Sequence, residues 1–242
     1  MPSDAELTNY DNIADAFIAH ASRPQSWNNM YERPNTLARL PELKRKNVLD
    51  LGCFTGFFTQ YALEHGASVT GVDASQKLID KLNNKIRNPK LILHCADIGQ
   101  PMPFLKSAAF DVIICSLVLD YIKDWTPVMA EFYRVLKKGG RAVISIGHPF
   151  SEYLYLMHRN TPESYHAFKM MVDTWGAGGP NPFKVHYYIR PLNEMIRPIL
   201  NSKLKLISVD EPLPDENMKK LDPSTYERLM IQPGFIFFVL EK

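Results

Sequence analysis

A regular alternation of apolar and amphipathic segments between residues 47 and 147 is the feature that most constrains the fold of this chain. The short segments are predicted as strands, and the near-continuous apolar run of "FDVIICSL" is typical of a parallel strand covered on both faces. They are "NVLDL", "SVTGVD", "KLILHCAD", "FDVIICSL" and "RAVISIG". The segments between them carry apolar residues at helical spacing. This order predicts βαβ units and an α/β, Rossmann-like fold, in which a mostly parallel sheet has helices on both faces.

The clearest helix is predicted over "TPVMAEFYRVLKKGG". We expect Thr126 to cap it, Pro127 to occupy its first helical position, and Gly139 to end it in a left-handed conformation. Two earlier helices are predicted around 11–20 and 36–40.

Residues 151–185 interrupt the alternation with several aromatic residues and "GAGGPNPF", so we predict a lid inserted into the core. Beyond it, "LKLISVDE" and "GFIFFVLEK" are predicted as two closing strands, which gives a seven-stranded sheet. The predicted organisation is a helical cap over 1–46, a cofactor-binding core over 47–150, the lid, and a completion of the sheet over 186–242.

The charge balance argues against a nucleic-acid partner. The formal net charge is +2 over 242 residues and no basic tract is longer than "KRK", whereas nucleic-acid binders concentrate basic residues on one face. No apolar run approaches the ~20 residues that span a bilayer, and the first residues do not resemble a secretory signal. Three widely spaced cysteines form no CxxC pair, so we expect no metal site and no disulfide framework. These observations predict a cytoplasmic protein without nucleic-acid or membrane partners.

The stretch "LDLGCFTGFF" follows the first predicted strand and has the composition of a nucleotide-binding turn. A dinucleotide site requires G-x-G-x-x-G, whose second glycine lets the backbone approach the pyrophosphate. Counted from Gly52, that frame falls on Gly52, Phe54 and Phe57. A phenylalanine in the second place obstructs a pyrophosphate, so NAD and FAD are disfavoured. A Walker A loop is excluded because the chain contains no G-K-[ST].

A second frame, D-x-G-x-x-x-G, falls on Asp50, Gly52 and Gly56. It is followed in order by "VTGVDAS", "HCADI", "FDVIICSLVLDY" and "EFYRVLKKGGRAVIS". With these motifs, residues 47–147 resemble the core of class I S-adenosylmethionine-dependent methyltransferases. The segments "YDNIADAF", "YERP" and "HYYIRPLNEMIRPIL" are further similar to small-molecule members of that family, including the quinone-type methyltransferases. The resemblance implies S-adenosyl-L-methionine as the cofactor.

The resemblance also implies roles for individual residues. Asp50 would reach the ammonium group at the methionine end, directly or through water. Asp73 would meet the ribose hydroxyls, and Asp97 would accept from the adenine amino group. The other cofactor-binding candidates lie at the ends of the same strands: Gly52, Cys53, Phe54, Gly56, Ala74, Ser75, Ile98, Ser116 and Leu117.

Phe54 departs from the glycine that is commonest at its position in this family. Because S-adenosylmethionine has no phosphate groups, a non-glycine residue is tolerated there if its φ is negative. We therefore expect a cofactor site that still binds, on the condition that the φ of Phe54 is negative.

The methyl acceptor is predicted to be a small, partly apolar or aromatic molecule, methylated at oxygen or carbon. After the fourth strand the chain reads "SLVLDY", where enzymes that methylate the amines of DNA bases or glutamine carry N-P-P-[YFW]. Methionine and aromatic residues in the predicted lid favour an apolar acceptor. Their alternative role is to bury the lid itself.

An oxygen or carbon acceptor requires a general base. His148 in "SIGHPF" is our candidate because it follows the fifth strand and histidine titrates near neutral pH; the alternative is that His148 caps the turn. Five residues are candidates for contacts with the acceptor: Tyr31, Arg33, Tyr121, His186 and Arg190. Three further residues could close over the site, namely Tyr10, Trp27 and Asp120. Each of these residues is equally open to a packing or surface role.

Two other functions stay open at this stage. One is a cofactor-binding regulatory or partner protein without turnover. The other is an RNA- or protein-directed methyltransferase, which the charge balance does not favour. The sequence names neither the acceptor nor the oligomeric state.

Overall fold

Seven strands form the central sheet of the computed structural model, which describes residues 10–159, 164–176 and 182–242. In chain order they are β1 (Asn47–Leu51), β2 (Ser68–Asp73), β3 (Leu91–Cys95), β4 (Phe110–Ser116), β5 (Leu136–Gly147), β8 (Lys205–Asp210) and β9 (Phe235–Glu241). Strands β6 (Lys169–Trp175) and β7 (Phe183–Ile189) pair antiparallel in a separate two-stranded sheet.

The strand order of the central sheet is β3-β2-β1-β4-β5-β9-β8. The pairs β1–β2, β1–β4, β2–β3 and β4–β5 are parallel. Strand β9 is antiparallel to both of its neighbours, so it runs against the rest of the sheet. The predicted fold class, an α/β Rossmann-like seven-stranded and mostly parallel sheet, is confirmed.

Helices cover both faces of this sheet. In chain order they are α1 (Tyr10–Ala21), α2 (Arg33–Arg39), α3 (Phe57–Glu64), α4 (Gln76–Lys85), α5 (Thr126–Val135), α6 (Pro149–His158), α7 (Leu192–Leu200), α8 (Glu216–Leu221) and α9 (Pro223–Ile231). A π-helical turn, Asn28–Glu32, precedes α2, and a 3-10 turn, Leu119–Tyr121, follows β4.

The core lies on both faces of the sheet because the central strands are apolar on both sides. In β4, Val112, Ile113 and Ile114 are buried in succession. Ile113 packs in the large cluster that includes α5, whereas Val112 and Ile114 pack in the cluster that includes α3. The apolar stripe of α5 is buried as its helical spacing suggests: Val128, Met129, Phe132 and Val135.

Helix α5 is shorter than predicted. It ends at Val135, and Leu136 already has the extended conformation of β5. Leu136 pairs with Phe110 of β4, so sheet pairing replaces the last predicted helical turn. Gly139 is left-handed with a φ of +75°, but it lies within β5, where its amide donates to the Lys242 carbonyl.

The start of α5 also differs from the prediction. The Asp124 carboxylate accepts a hydrogen bond of 2.8 Å from the Thr126 amide. Asp124 therefore satisfies the first amide of the helix, and Thr126 does not cap it. Pro127 lies in the first turn, as predicted.

The described part of the predicted lid contains most of α6, strand β6 and the start of β7. Strand β7 continues to Ile189, so the β6–β7 hairpin crosses the predicted boundary at residue 185. Residues 160–163 and 177–181 of the predicted lid lie outside the described residues.

In the predicted N-terminal cap, residues 1–9 likewise lie outside the described residues. The two predicted helices are present as α1 and α2, and α2 begins at Arg33, with a proline in its first turn. The division of the chain into four parts stays a prediction.

Substitution of two left-handed glycines, Gly56 and Gly139, compares the energetic cost of backbone strain with that of a packing clash. Gly56, just before α3, has a φ of +80°, and a Cβ there would lie 2.3 Å from Leu82 Cδ1. Gly139 has a φ of +75°, and a Cβ there would meet no described atom within 4 Å. A left-handed alanine costs roughly 1–2 kcal/mol. We expect Gly139→Ala to lower the free energy of unfolding by about 1 kcal/mol and Gly56→Ala by about 3 kcal/mol, because Leu82 must also move. Urea denaturation measures both, and equal losses would contradict the packing contribution of Leu82.

Candidate functional site

A cavity opens at the carboxyl ends of the strands, where the strand order reverses between β1 and β4. In open α/β sheets, this switch point is the usual position of a ligand. The loops after β1, β2, β3 and β4 form its wall together with the N-terminal segment. The predicted cofactor-binding residues that line it are Gly52, Cys53, Phe54, Asp73, Ala74, Asp97, Ile98, Ser116 and Leu117.

The turn after β1 is built from left-handed residues. Gly52, Phe54 and Gly56 have φ values of +70°, +48° and +80°. The condition stated for a non-glycine residue at this position, a negative φ, is therefore not met at Phe54. The Phe54 amide donates a hydrogen bond of 2.9 Å to Asp73 Oδ2, and the Phe54 ring centroid lies 4.8 Å from that of Phe17 on α1. These two contacts offset a left-handed conformation that costs roughly 1–2 kcal/mol in a residue with a side chain.

Asp73 at the end of β2 holds this turn in place. Its Oδ2 accepts from the Phe54 amide, and its Oδ1 accepts from the Ser75 amide at 3.0 Å. The Ser75 hydroxyl accepts from the Leu78 amide, which caps α4, and donates to Asp11 on α1. Burial raises the pKa of Asp73. Because each carboxylate oxygen can accept a second hydrogen bond, Asp73 still offers acceptors to the cavity.

Asp97 lies two residues beyond β3, and one of its oxygens has no partner. Its Oδ1 accepts from the Gly99 amide at 2.8 Å. Its Oδ2 is buried and has no hydrogen-bond partner among the described residues. Such an unpaired buried oxygen is costly. Since Asp97 lines the cavity, this oxygen is suited to a donor on a ligand.

Three predicted cofactor-binding residues support the cavity and are not among the described residues that line it. Asp50 is buried, and its Oδ2 accepts a hydrogen bond of 2.5 Å from Thr59 Oγ1. Burial raises the pKa of Asp50 to about 6. Gly56 and Ser75 stand at the starts of α3 and α4. The Asp50 side chain therefore connects β1 to α3.

Helix α1 covers one side of the cavity with aromatic side chains. Tyr10 and Phe17 both line it. The ring centroid of Phe17 lies 5.8 Å from that of Trp175 on β6 and 5.8 Å from that of Phe183 on β7. The N-terminal helix and the β6–β7 hairpin therefore meet at the wall of the cavity.

Two of the predicted acceptor residues line the cavity, namely Arg33 and Tyr121. The Arg33 guanidinium lies 4.3 Å from the ring centroid of Phe57. The Tyr121 ring meets Tyr10 edge-on, with centroids 5.6 Å apart. Both side chains are therefore held by neighbours in the wall.

The other three predicted acceptor residues are not among those that line this cavity in the described structure. Tyr31 is buried, and its hydroxyl donates to the Pro212 carbonyl. His186 lies on β7. Arg190 donates a hydrogen bond of 2.5 Å to the Ile122 carbonyl. Tyr31 and Arg190 therefore fix segments around the cavity.

His148 is also not among the described residues that line the cavity. Its Nδ1 accepts a hydrogen bond of 3.2 Å from the Phe150 amide, and its Nε2 lies 2.5 Å from Glu211 Oε1. Burial lowers the pKa of His148, against the opposite effect of the Glu211 carboxylate. The hydrogen bond from the Phe150 amide means that His148 caps the turn, which is the alternative role stated above. We therefore do not retain His148 as the general base.

Glu32, at the end of the π-helical turn, lines the cavity although the sequence analysis does not select it. Its side chain is buried, and Oε1 accepts from the hydroxyls of Thr36 at 2.6 Å, Ser116 at 2.8 Å and Ser145 at 2.6 Å. Burial raises the pKa of Glu32, and the three hydroxyls counteract that shift. The signal available in the sequence is its place within "YERP", where both neighbouring residues are candidates.

Two half-buried acids, Asp120 and Glu152, lie near the end of β5. The Gly147 amide donates a hydrogen bond of 3.3 Å to Asp120 Oδ2. A Cβ on Gly147 would lie 3.4 Å from Glu152 Oε1 and 3.9 Å from either carboxylate oxygen of Asp120. Both carboxylates therefore face the same point. Burial raises the pKa of Asp120 to about 7, and burial together with the Asp120 charge raises the pKa of Glu152 to about 7.

The raised pKa of the Asp120 carboxyl group predicts a stability that depends on pH. Its folded-state pKa of about 7 lies above its ordinary value of 3.8, so between these values the folded state keeps a proton that the unfolded state has lost. The free energy of unfolding therefore falls as the pH rises through that window. Asp120→Asn has no such titration. We expect the free energy of unfolding of the variant, minus that of the wild type, to increase by about 2 kcal/mol between roughly pH 5 and pH 8, because the wild type alone loses this contribution.

Urea unfolding at several pH values across that window measures the difference. Asp80→Asn, at an exposed position on α4, is the control and should show no such trend. A difference between Asp120→Asn and the wild type that stays constant with pH would contradict the raised pKa of Asp120.

Cys53, Cys95 and Cys115 are free thiols. Among the described residues, no group of histidine, cysteine or acidic side chains is arranged to hold a metal ion. Within the same three ranges, no helix has the length and apolar character needed to cross a membrane.

Residues 49–144 match a family model described as a methyltransferase domain. A ubiquinone biosynthesis O-methyltransferase of Coxiella burnetii is 35% identical over 116 residues, which are 47% of this chain and 49% of that protein. An uncharacterized protein of Haemophilus influenzae is 29% identical over 157 residues, 62% of this chain and 61% of its own length. This chain therefore spans between about half and about three-fifths of these curated relatives.

A solved structure extends the likeness to most of the chain. A candidate S-adenosylmethionine-dependent methyltransferase of Listeria monocytogenes superimposes with a TM-score of 0.74 at 25% identity, over 87% of this chain and 96% of that one. Residues 49–144 therefore carry a methyltransferase domain, in agreement with the predicted class I S-adenosylmethionine-dependent methyltransferase.

Proposed function

We propose that this protein transfers the methyl group of S-adenosyl-L-methionine to an oxygen or carbon atom of a small, partly apolar or aromatic molecule. The observation that carries the proposal is the convergence of the Asp73 and Asp97 carboxylates on one cavity at the switch point of the sheet. The family supports the reaction, and these two acids support the methyl donor.

The cavity fits the adenosine part of that donor. Asp97 Oδ2, unpaired among the described residues, suits the adenine amino group. Asp73, at the end of the neighbouring strand, has acceptor capacity for the two ribose hydroxyls. Gly52 keeps the turn free of a side chain, since a Cβ there would lie 2.2 Å from Val118 Cγ2. These groups recognise a nucleoside without requiring a phosphate.

Bound S-adenosylmethionine supplies a methyl group on an electrophilic sulfonium. The contribution of the protein is to hold the acceptor in line with that group and to exclude water. The cavity has an aromatic surface that can both position the acceptor and exclude water, formed by Phe17, Phe54 and Tyr121. In this mechanism, positioning supplies most of the rate enhancement.

The aromatic wall also favours a small acceptor. Tyr10, Phe17, Phe54, Phe57 and Tyr121 line the cavity, and aromatic side chains bind flat apolar molecules well. Phe17 also contacts Trp175 and Phe183 of the β6–β7 hairpin, which extends this aromatic surface beyond the cavity. The Coxiella relative bears the name of a ubiquinone biosynthesis O-methyltransferase, in agreement with an aromatic hydroxyl as the acceptor.

We propose Asp120 and Glu152 as the alternative to His148 for uptake of the acceptor proton; like His148, neither is among the described residues that line the cavity. Their pKa values of about 7 suit a base that works near neutral pH. Asp120 directly precedes Tyr121, which lines the cavity. The ring of His148 is instead engaged with the Phe150 amide and a carboxylate.

Asp97→Asn tests the adenine assignment. The asparagine oxygen can still accept from the Gly99 amide, which leaves an NH₂ group facing the adenine amino group. We expect the affinity for S-adenosylhomocysteine to fall at least about tenfold. The affinity for S-inosylhomocysteine, which has a carbonyl in place of the amino group, should rise. Isothermal titration calorimetry measures both affinities.

Asp80→Asn, at an exposed position on α4, is the matched control and should change neither affinity. An unchanged affinity of Asp97→Asn for S-adenosylhomocysteine, or an equal loss for both ligands, would place the adenine elsewhere.

Transfer of labelled methyl groups to a panel of catechols, hydroquinones, carbon acids, RNA and peptides tests the reaction itself. We expect label in small aromatic or enolic acceptors and none in RNA or peptides. Binding of the methyl donor without transfer to any acceptor would favour a regulatory or partner protein. Label in RNA or peptides would favour a macromolecular substrate.

We further propose a cytoplasmic location without nucleic-acid or membrane partners. The formal net charge of +2 supports the absence of a nucleic-acid partner. The three free cysteines support a reducing compartment.

A further inference from the structure

Arg190, which directly follows β7, is a buried cation whose donors are only partly used by the described residues. Its side chain is buried, with 4% of the residue exposed. Its Nη2 donates to the Ile122 carbonyl at 2.5 Å, and its Nη1 donates to the Lys123 carbonyl at 3.4 Å. Its Nε is buried and has no acceptor within the described ranges. Because a buried charge is costly unless it is paired and hydrogen-bonded, this guanidinium is suited to a ligand that supplies an acceptor.

The surroundings of Arg190 keep it charged without neutralising it. Burial lowers its pKa to about 10, against the opposite effect of the Asp120 carboxylate, so the guanidinium is protonated at neutral pH. The acids that attract it do so without a hydrogen bond. Its Cζ lies 4.7 Å from the ring centroid of Trp125 and 5.0 Å from that of Phe168. These rings fix the plane of the guanidinium, and an anion is the partner that matches its charge.

Arg190 lines a second cavity of about 260 Å³, between α6 and the base of the β6–β7 hairpin. Tyr153 and Tyr165 give this cavity an aromatic side, with ring centroids 6.0 Å apart. Glu152 and Ser164 also line it. A planar guanidinium beside two phenol rings is suited to a carboxylate carried by a small flat molecule.

The second cavity adjoins the larger cavity at the switch point through the side chain of Tyr121. Tyr121 lines the larger cavity. It also packs against a cluster that contains Leu156 and Ile189, and both of these residues line the second cavity. A molecule held at Arg190 is therefore on the far side of Tyr121 from the proposed methyl-donor site.

We propose that Arg190 binds a carboxylate of the methyl acceptor, which makes the acceptor a small aromatic or enolic acid. The guanidinium donates to the carboxylate from its Nε, and the rest of the acceptor reaches past Tyr121 to the methyl donor. This inference rests on the proposed methyl transfer and adds a negative charge to the proposed acceptor. A free small anion carries the same charge, and the experiment below separates these two sources.

Glu152 decides the pH at which this binding is best measured. Burial, the Asp120 charge and the Asp173 charge raise the pKa of Glu152 to about 7, and the Tyr187 hydroxyl counteracts this shift. At about pH 6, Glu152 is therefore mainly protonated, whereas a ligand carboxylate and Arg190 are both charged. Under this condition Glu152 does not repel a carboxylate in the same cavity.

Calorimetry with 4-hydroxybenzoate and 4-hydroxybenzamide separates charge from shape, because the two molecules have similar shapes and only the first is an anion. At about pH 6 and with S-adenosylhomocysteine present, we expect the wild type to bind the benzoate at least about tenfold more tightly than the benzamide. Arg190→Gln should lose this preference while its affinity for the benzamide changes less than about twofold. Arg190→Lys, which keeps the charge, should retain part of the preference.

Arg87→Gln, at an exposed position just after α4, is the matched control and should bind both ligands as the wild type does. An equal loss for both ligands in Arg190→Gln would reduce Arg190 to a structural residue and overturn the site. If that variant does not fold, the wild type still decides, because equal affinity for the two ligands, or binding of neither, would also overturn it.

Acetate separates a free anion from the acceptor. We expect acetate to bind the wild type at least about tenfold more weakly than 4-hydroxybenzoate does, because acetate lacks the ring. Equal affinity would make this a site for a free anion and overturn its assignment to the acceptor. Titration of the wild type with S-adenosylhomocysteine alone tests the proposed function separately. Absence of that binding would overturn the proposed function, whereas absence of the preference for the benzoate would overturn the carboxylate site.

Discussion

The carboxylate of Asp73 is the interaction on which the geometry of the site depends. One oxygen accepts from the amide of the left-handed Phe54, and the other accepts from the Ser75 amide. Ser75 caps α4 and donates to Asp11 of α1. A single buried acid thus connects the turn after β1, the end of β2, the start of α4 and, through Ser75, the N-terminal helix. The cavity keeps its shape because these four segments meet at that carboxylate.

The sheet could be predicted from the sequence because buried parallel strands and amphipathic helices leave local patterns. The central order of strands and helices is as predicted, and so are the two closing strands, β8 and β9. Helix α5 ends before Leu136, earlier than predicted, and the cause is non-local. Leu136 pairs with Phe110 on β4, and this pairing overrides the helical pattern of the sequence. The φ of Phe54 is likewise set by Asp73 and Phe17, which are distant in the sequence.

The two acids proposed to bind adenosine were accessible to sequence reasoning because Asp73 ends β2 and Asp97 lies two residues beyond β3. Asp73 and Asp97 line the cavity at the positions that the family motifs imply. The acceptor side was not accessible in the same way. His148 follows β5 as expected, but a carboxylate from the segment after β8 holds its ring. Glu32 reaches the cavity from the N-terminal segment through hydroxyls on β4 and β5, a relation that exists only after folding.

A crystal structure of the protein with S-adenosylhomocysteine tests the central claim most directly. We predict that the adenine amino group lies within hydrogen-bond distance of Asp97 Oδ2 and that the ribose hydroxyls lie on Asp73, with Phe54 still left-handed. Adenosine bound elsewhere, or an Asp97 Oδ2 that stays unpaired beside the ligand, would contradict the claim that these two acids define the methyl-donor site.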